Sequence, residues 1–293
     1  KDRVGGLIGQ SFAVPNTVSN VSFLGTVEGL NFVGGIIGDN QSSLTMASVI
    51  NYGNVIGYSN RVGGLIGQSF AGEINISGSS NFGDVDGSIL VGGIIGLVDG
   101  TSNVDILNSS NTGKIQGLEN VGGLIGRQNH SVGIGSSYNT GTIIATSVPS
   151  AKGAIIGYSD SSLGLSDVFY LSETGLNAIG EGSVTTGTAS AISIAQMAAL
   201  STFEDAGWDI ARYPTASAVW SIQYDGQTTY PWLTEMGEPH ASQIIETIPV
   251  FTAQDFETMN DNLFGDFELQ NDIDFSSYTN LTQAFIQGRF SGN

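Results

Sequence analysis

The sequence predicts an all-β fold, a parallel β-helix (solenoid) made of coils of about 29 residues. Three observations predict it. One apolar, glycine-split phrase recurs at a nearly constant interval. The segments between its copies are short, rich in β-branched residues and interrupted by glycine or asparagine, which is typical of strands and turns. No segment of residues 1–150 keeps a 3.6-residue apolar period long enough for a helix.

The recurrent phrase reads "RVGGLIGQS" both at residues 3–11 and at residues 61–69. A weaker sixth copy, "KGAIIG", begins at Lys152. The valine of the five strong copies recurs at steps of 29, 29, 29 and 30 residues, at Val4, Val33, Val62, Val91 and Val121. Stacked coils place equivalent residues about 4.8 Å apart, so each coil buries its apolar side against its neighbours.

Two aliphatic positions of the phrase are nearly invariant when the valine is counted as position one. Position five is Ile8, Ile37, Ile66, Ile95, Ile125 and Ile156, and position four is Leu7, Ile36, Leu65, Ile94, Leu124 and Ile155. Strict alternation sends the two positions to opposite faces, with position four forming an apolar stripe on the outside. A bend or bulge at the glycine pair lets both face inward. The sequence leaves both arrangements open.

Each coil also carries a second phrase, such as "NYGNVIG" at Asn51 and "NFGDVDG" at Asn81. Its first residue predicts an asparagine ladder, in which stacked side-chain amides form hydrogen bonds along the axis: Asn51, Asn81, Asn111 and Asn139. The first coil has Phe23 at this place. The segments "SVIN", "INIS", "VDIL" and "VGIG" come shortly before the phrase and predict a further strand in each coil.

Composition excludes several classes of protein. The 293 residues contain 27 acidic and 8 basic side chains, a net charge of −19. So few lysines and arginines argue against binding to nucleic acid or to an anionic membrane surface. The absence of cysteine excludes disulfides, thiolate metal sites and cysteine nucleophiles. No apolar run reaches membrane-spanning length.

The coils are predicted to occupy residues 1–170 and to be closed by a cap region at 171–240. In "ISIAQMAALSTF", Ser193 and Gln196 are spaced as a capping box and predict a short helix. The three tryptophans, Trp208, Trp220 and Trp232, follow it. We interpret them as the core of a cap over the open end of the solenoid. A sugar-stacking platform is the alternative.

Residues 241–293 predict the start of a second β-helix module. Thr252 and Asp255 occupy capping positions of a second helix, and "DFELQNDIDFSSY" alternates like a strand. We expect the sequence to be part of a longer chain, because it opens inside one repeat and stops inside another.

Candidate catalytic and metal sites are few. A zinc peptidase needs two histidines one helical turn apart, whereas His130 and His240 are distant in sequence and lack that context. Asp84 with Asp86, and Asp272 with Asp274, are spaced to point the same way along a strand. Such pairs bind calcium, act as acid and base in polysaccharide lyases and glycosidases, or are solvated surface charges. We expect solvated charge, keep calcium as the possible cofactor, and predict no catalytic residues.

These phrases resemble a known repeat family. "VGGLIG" followed by "NxGxVxG", with a close in "GWD", "AVWSIQ" and "YPWL", is similar to the GLUG repeat of bacterial surface and secreted proteins. The similarity covers nearly the whole chain and is specific for the repeat but not for a function. It implies a right-handed parallel β-helix outside a bacterial cell. The family occurs in adhesins and ahead of the catalytic domain of immunoglobulin-cleaving zinc metallopeptidases.

Three functional hypotheses follow. The first is a non-enzymatic stalk or adhesive segment of a large surface protein, whose partners are other solenoid modules of the same chain and cell-surface glycans or host or neighbour-cell proteins. The second is an accessory solenoid of a secreted zinc metallopeptidase. The third is a self-associating subunit of an extracellular fibre, based on an outward position-four stripe.

Overall fold

A computed structural model describes residues 2–12, 14–147, 150–184, 186–261, 265–273 and 290–291. The chain forms two compact units. The coil unit consists of Lys1–Tyr170 and Thr174–Ala191, and the cap unit consists of Leu171–Glu173 and Ile192–Asn293.

The coil unit is the predicted parallel β-solenoid, and its repeat phrase forms two of its four sheets. Sheet 1 contains the valine strands Val4–Gly5, Val33–Gly34, Asn60–Gly63, Ile89–Gly92, Glu119–Gly122 and Lys152–Gly153. Sheet 2 contains the isoleucine strands Ile8–Phe12, Ile37–Gln41, Ile66–Ser69, Ile95–Val98, Ile125–Gln128 and Ile156–Ser159, with Ile179–Gly182 added after the last coil.

The other half of each coil supplies sheets 3 and 4. Sheet 3 contains Asn16–Phe23, Leu44–Asn51, Glu73–Ser77, Ser80–Asn81, Asn103–Leu107, Ser110–Asn111, Val132–Gly135, Tyr138–Asn139, Leu163–Leu171 and Thr186–Ile192. Sheet 4 contains Val27–Gly29, Val55–Gly57, Val85–Asp86, Ile115–Gly117 and Ile143–Ala145. Neighbouring coils pair in parallel and in register, as Val33 with Val62 and Ile66 with Ile95 illustrate.

Two separate apolar cores result from the single repeat phrase. The phrase valines pack against the valines and isoleucines of sheet 4, including Val55 and Val85. The phrase isoleucines pack against the inward side chains of sheet 3, including Met46 and Ile76. One coil therefore buries apolar groups on both sides of the "VGGLIG" turn, and stacking makes both cores continuous.

Position four faces inward, so the outward-stripe alternative is wrong. From the second coil onward its side chains are fully buried in the core of sheets 2 and 3: Ile36, Leu65, Ile94, Leu124 and Ile155. The cause is a bend at Gly35 and Ile36, between the strands Val33–Gly34 and Ile37–Gln41. The carbonyl of Leu65 accepts hydrogen bonds from both Ile36 N and Ile37 N, at 3.0 and 2.9 Å. Gly34 pairs with Gly63 before the bend and Ile37 pairs with Ile66 after it, so the register between coils is unchanged and the bend turns both aliphatic side chains of each coil to the same face.

The glycines of the phrase let sheets 1 and 2 meet backbone to backbone. A Cβ on Gly63 would lie 2.0 Å from the carbonyl oxygen of Ile66, and the equivalent glycines are equally confined. Only a residue without a side chain fits at this contact. The residue before each valine has a positive φ although it is not glycine: Arg3 59°, Phe32 54°, Arg61 65°, Leu90 64° and Asn120 52°.

The cap unit combines short helices with two small sheets. Its helices are Ile194–Met197, Leu200–Asp205 and Ala253–Thr258, with 3₁₀ turns at Ser172–Thr174, Thr234–Met236, Ala241–Gln243 and Met259–Asp261. One sheet contains Ile210–Ala211, Trp220–Tyr224 and Gln227–Leu233. The other contains the parallel strands Ile248–Val250, Phe267–Leu269 and Phe290–Ser291.

Both predicted capping boxes are confirmed. The hydroxyl of Ser193 accepts from Gln196 N, and the hydroxyl of Thr252 accepts from Asp255 N. The single helix predicted after Ser193 is instead two helices, because Ala199 adopts an extended conformation with φ −95° and ψ 127°.

Candidate functional site

The asparagine column is buried at the ends of four sheet 3 strands, each of which has an asparagine as its last residue. Asn51 Nδ2 donates to Asn81 Oδ1 at 2.8 Å, Asn81 to Asn111 at 2.7 Å, and Asn111 to Asn139 at 2.8 Å. All four side chains are buried. The second hydrogen of each amide donates to the carbonyl two residues later, such as that of Gly83. This arrangement holds neighbouring coils in register and leaves little freedom for a ligand.

Serine columns lie beside the asparagines and were not identified in the sequence. Ser79 Oγ accepts from Val49 N, and Ser109 Oγ accepts from Ser79 N at 3.3 Å. Ser80 Oγ and Ser110 Oγ are 2.8 Å apart and also buried. The signal for these columns was present, because two serines precede the second phrase in two successive coils. The columns are structural, since each hydroxyl serves a neighbouring coil.

The outer face of sheet 4 carries the predicted pair Asp84 and Asp86. Val85 between them points into the core, so both carboxylates point outward, as their spacing predicts. Asp84 Oδ1 accepts from Lys114 N at 3.0 Å, and its other oxygen lies 3.8 Å from Lys114 Nζ. Asp84 is therefore engaged with the next coil, while Asp86 is exposed between Ile56 and Gln116 on the neighbouring strands.

Exposed apolar side chains border this face. Tyr58 is 63% exposed and follows Leu30 in one column, and Leu118 lies two coils beyond Tyr58, with Ser88 between them. The Tyr58 hydroxyl donates to a carboxylate oxygen of Glu28. That hydrogen bond, together with the negative charge of Glu28, raises the pKa of Tyr58. We name these residues and the outward side chains of sheet 4 the sheet 4 face.

A buried carboxylate that sequence analysis missed lies between sheets 1 and 2. Asp39 is fully buried, and one of its oxygens accepts from Arg3 Nε at 3.0 Å, Gln10 Nε2 at 3.1 Å and Gln41 Nε2 at 2.8 Å. The Arg3 guanidinium lies over the ring of Phe32, with Arg3 Cζ 5.2 Å from the centre of the ring. Four side chains thus fix the first coil to the second, which is a structural role.

The other residues considered as metal or catalytic candidates form no cluster in the described part of the chain. Asp272 is exposed, and Asp274 lies outside the described residues. His240 caps a 3₁₀ turn through Ser242, and burial lowers its pKa. His130 is partly buried in the coil unit. Within the described part of the chain, no three His, Asp or Glu side chains are grouped closely enough to hold a metal ion.

The tryptophans lie inside the cap unit. All three are buried, and the rings of Trp208 and Trp220 have centres 5.1 Å apart. Trp208 also packs against Phe203, and the rings of Trp232 and Tyr224 meet perpendicular to each other. No indole face is exposed for stacking on a sugar. A separate open cavity of about 190 Å³ in this unit is lined in part by Thr228, Glu246 and Asp266.

No helix among the described residues is long and apolar enough to cross a membrane. Comparisons of the chain with protein-family models, curated proteins and solved structures found no match.

Proposed function

We propose that the chain is a non-enzymatic segment of a large extracellular bacterial surface protein, in which the stacked coils serve as a stiff stalk and an adhesive module. The observation that carries the proposal is the in-register repetition of the coils. Asparagine and serine columns join successive coils through buried hydrogen bonds. Such columns resist sliding of one coil over the next, and stiffness is what a stalk requires. The resemblance to GLUG repeats supports the bacterial surface as the location.

The adhesive part of the proposal concerns the sheet 4 face. Each coil presents an equivalent outward position at about 4.8 Å from the next, so weak contacts add along the axis. Tyr58 and Leu118 give this face exposed apolar groups, and Glu28 and Asp86 give it hydrogen-bond acceptors. Aromatic rings beside carboxylates suit cell-surface glycans, since sugars offer both apolar faces and hydroxyl donors.

Binding to arrayed glycans and to whole cells tests the adhesive role. The chain would be displayed in many copies on beads, because single sites are expected to be weak. Tyr58→Ser combined with Leu118→Ser should reduce binding at least tenfold. Leu107→Ser is the matched control, because Leu107 is an equally exposed leucine on sheet 3. Equal losses in both variants, or no binding by the wild-type chain, would remove the adhesive role.

The stalk role has its own measurement. Force spectroscopy of the chain measures the force at which the coils unfold. That force should be lower in Asn81→Ala, which interrupts the asparagine column. The control is Asn103→Ala, because Asn103 is an exposed asparagine of the same sheet. Unchanged unfolding forces in Asn81→Ala would argue against the columns as the source of stiffness.

The two alternative hypotheses have less support. The fibre hypothesis was based on an outward position-four stripe, and from Ile36 to Ile155 those side chains are buried. The accessory-solenoid hypothesis is based on the family resemblance alone, and an HExxH motif elsewhere in the same polypeptide would favour it.

A further inference from the structure

Arg61, in the third coil, is a half-buried cation without a counter-charge. Its Nε atom is buried and donates no hydrogen bond within the described part of the chain, and its two Nη groups, which are not buried, have no partner there either. No described carboxylate forms an ion pair with it. A guanidinium that is partly removed from water is destabilised unless an anion compensates its charge.

The equivalent arginine of the first coil shows what is missing. Arg3 and Arg61 open the two identical copies of the phrase. Arg3 Nε donates to Asp39 of the next coil at 3.0 Å. In the column that contains Asp39, the third coil has Gln68 and the fourth has Leu97. Leu97 therefore occupies, relative to Arg61, the place that a carboxylate occupies relative to Arg3.

Arg61 turns instead toward the preceding coil. Its Cζ lies 4.8 Å from the centre of the Phe32 ring, at the distance of a cation–π contact. The ring carries no net negative charge, so the charge of Arg61 stays uncompensated. Stacking fixes the plane of the guanidinium, and the accessible edge with its two Nη groups matches the two oxygens of a carboxylate.

The surface beside Arg61 suits a sugar. Tyr58 lies three residues earlier, in the segment that joins the strands Val55–Gly57 and Asn60–Gly63. Its ring is 63% exposed, and its hydroxyl is held by the carboxylate of Glu28. An exposed aromatic ring offers an apolar face on which a sugar ring can pack. A ring and an unpaired guanidinium are thus presented by one short segment.

The charge of the chain selects the kind of acid that can approach. A net charge of −19 repels polyanions such as sulfated polysaccharides and acidic peptides. A single carboxylate on an otherwise neutral glycan experiences the least of this repulsion. It still gains the full interaction with Arg61, because that interaction acts at short range in a partly desolvated place.

We propose that Arg61 binds the carboxylate of an acidic sugar in an otherwise neutral glycan, with the sugar ring packed against Tyr58. Both carboxylate oxygens would accept charge-assisted hydrogen bonds from the two Nη groups. The inference rests on the proposed adhesive role and names the class of glycan that the chain would select.

Nitrogen-15 spectra of the arginine side chains test the site on the single chain. The chain contains five arginines, so the Nε–H signals are few, and Arg61→Gln identifies that of Arg61. Methyl glucuronide, added to about 50 mM, should shift this signal along a saturating curve. Methyl glucoside, which lacks the carboxylate, should not. The signal of Arg127 is the matched control, because this arginine also stacks on a ring, that of Tyr158, but is already paired with Asp160.

Binding of the bead-displayed chain to arrayed glycans separates this inference from the adhesive role. Arg61→Gln should reduce binding to glycans with a sugar acid at least tenfold and leave binding to neutral glycans unchanged, whereas Arg127→Gln should bind both like the wild type. Leu97→Asp should also weaken binding to the acidic glycans, because it supplies the missing carboxylate from within the chain. Far-UV circular dichroism verifies that the variants fold.

The outcomes for the two proposals are distinct. A shift of the Arg61 signal without binding of the beads to any glycan would support the site and remove the adhesive role. Equal shifts of the Arg61 and Arg127 signals, or equal responses to the two methyl glycosides, would overturn the inference. Acidic-glycan binding by Arg61→Gln at the wild-type level would overturn it while the adhesive role stands. Equal affinity for N-acetylglutamate amide would assign the site to a protein carboxylate and overturn the sugar.

Discussion

Gly64 lies against the side-chain amide of Asn81, so closely that a Cβ on the glycine would be 2.5 Å from Asn81 Cγ. The same contact recurs between Gly93 and Asn111. The second glycine of the first phrase and the asparagine of the second phrase are thus two halves of one packing unit. This contact explains why the two phrases recur together in each coil.

Gly64→Ala should destabilise the coil unit by about 2–3 kcal/mol, the cost of overpacking a site that cannot relax. The added methyl would also approach the carbonyl oxygen of Gly93 to 2.1 Å, and that backbone is held in the sheet. Urea unfolding followed by far-UV circular dichroism measures the change. Gly164→Ala is the control, since its Cβ would meet only a Thr186 hydroxyl at 3.2 Å. Equal stability of the two variants would contradict the packing argument.

Asn81→Leu should cost about 2–5 kcal/mol, although leucine is similar in size and more apolar. One N–H of Asn51 Nδ2 would lose its acceptor and Asn111 Oδ1 would lose the donor on Asn81, so two buried hydrogen bonds of the column would be missing. Asn103→Leu is the control, because Asn103 is exposed and should change stability by less than about 0.5 kcal/mol. Thermal unfolding of the wild type, Asn81→Leu and Asn103→Leu measures the order of their stabilities. An Asn81→Leu variant as stable as the wild type would show that the column is not a source of stability.

The sequence predicted those parts of the fold that depend on repetition. A constant period identifies the stacking, and a column such as Asn51, Asn81 and Asn111 follows from it directly. The direction of position four did not follow, because the chain bends between the sheet 1 and sheet 2 strands and so departs from the alternation of an ideal strand. Asp39 was missed for a related reason. Its partner Arg3 is close only because the glycine turn folds sheet 1 back onto sheet 2, which composition cannot reveal.

Leu90→Asn should stabilise the coil unit by about 0.5 kcal/mol. Leu90 has a φ of 64°, and a left-handed conformation costs an L-residue about 1–2 kcal/mol. Asparagine tolerates this conformation and already occupies the equivalent place at Asn120, where φ is 52°. The loss of apolar contact by the half-buried leucine subtracts from the gain. Ile89→Asn, on the neighbouring extended residue, should instead destabilise by about 1 kcal/mol. A melting temperature lowered equally by both variants would contradict the strain argument.

Tyr230 makes the stability of the cap unit sensitive to alkaline pH. Burial, together with the smaller effect of the negative charge of Glu173, raises the pKa of Tyr230 from 10.0 to about 12. Because the folded pKa exceeds the unfolded pKa, this contribution to stability is complete below pH 10. It is lost progressively as pH rises from 10 to about 12. The cap unit should therefore unfold more easily across that interval.

Tryptophan fluorescence isolates this effect, because all three tryptophans lie in the cap unit. Urea unfolding at pH 9, 10 and 11 should show a steeper loss of stability in the wild type than in Tyr230→Phe, which has no proton to lose. Tyr213→Phe is the matched control, since Tyr213 is an exposed tyrosine of the same unit and its removal should leave the wild-type slope unchanged. A Tyr230→Phe variant with the wild-type slope would assign the alkaline sensitivity to another group.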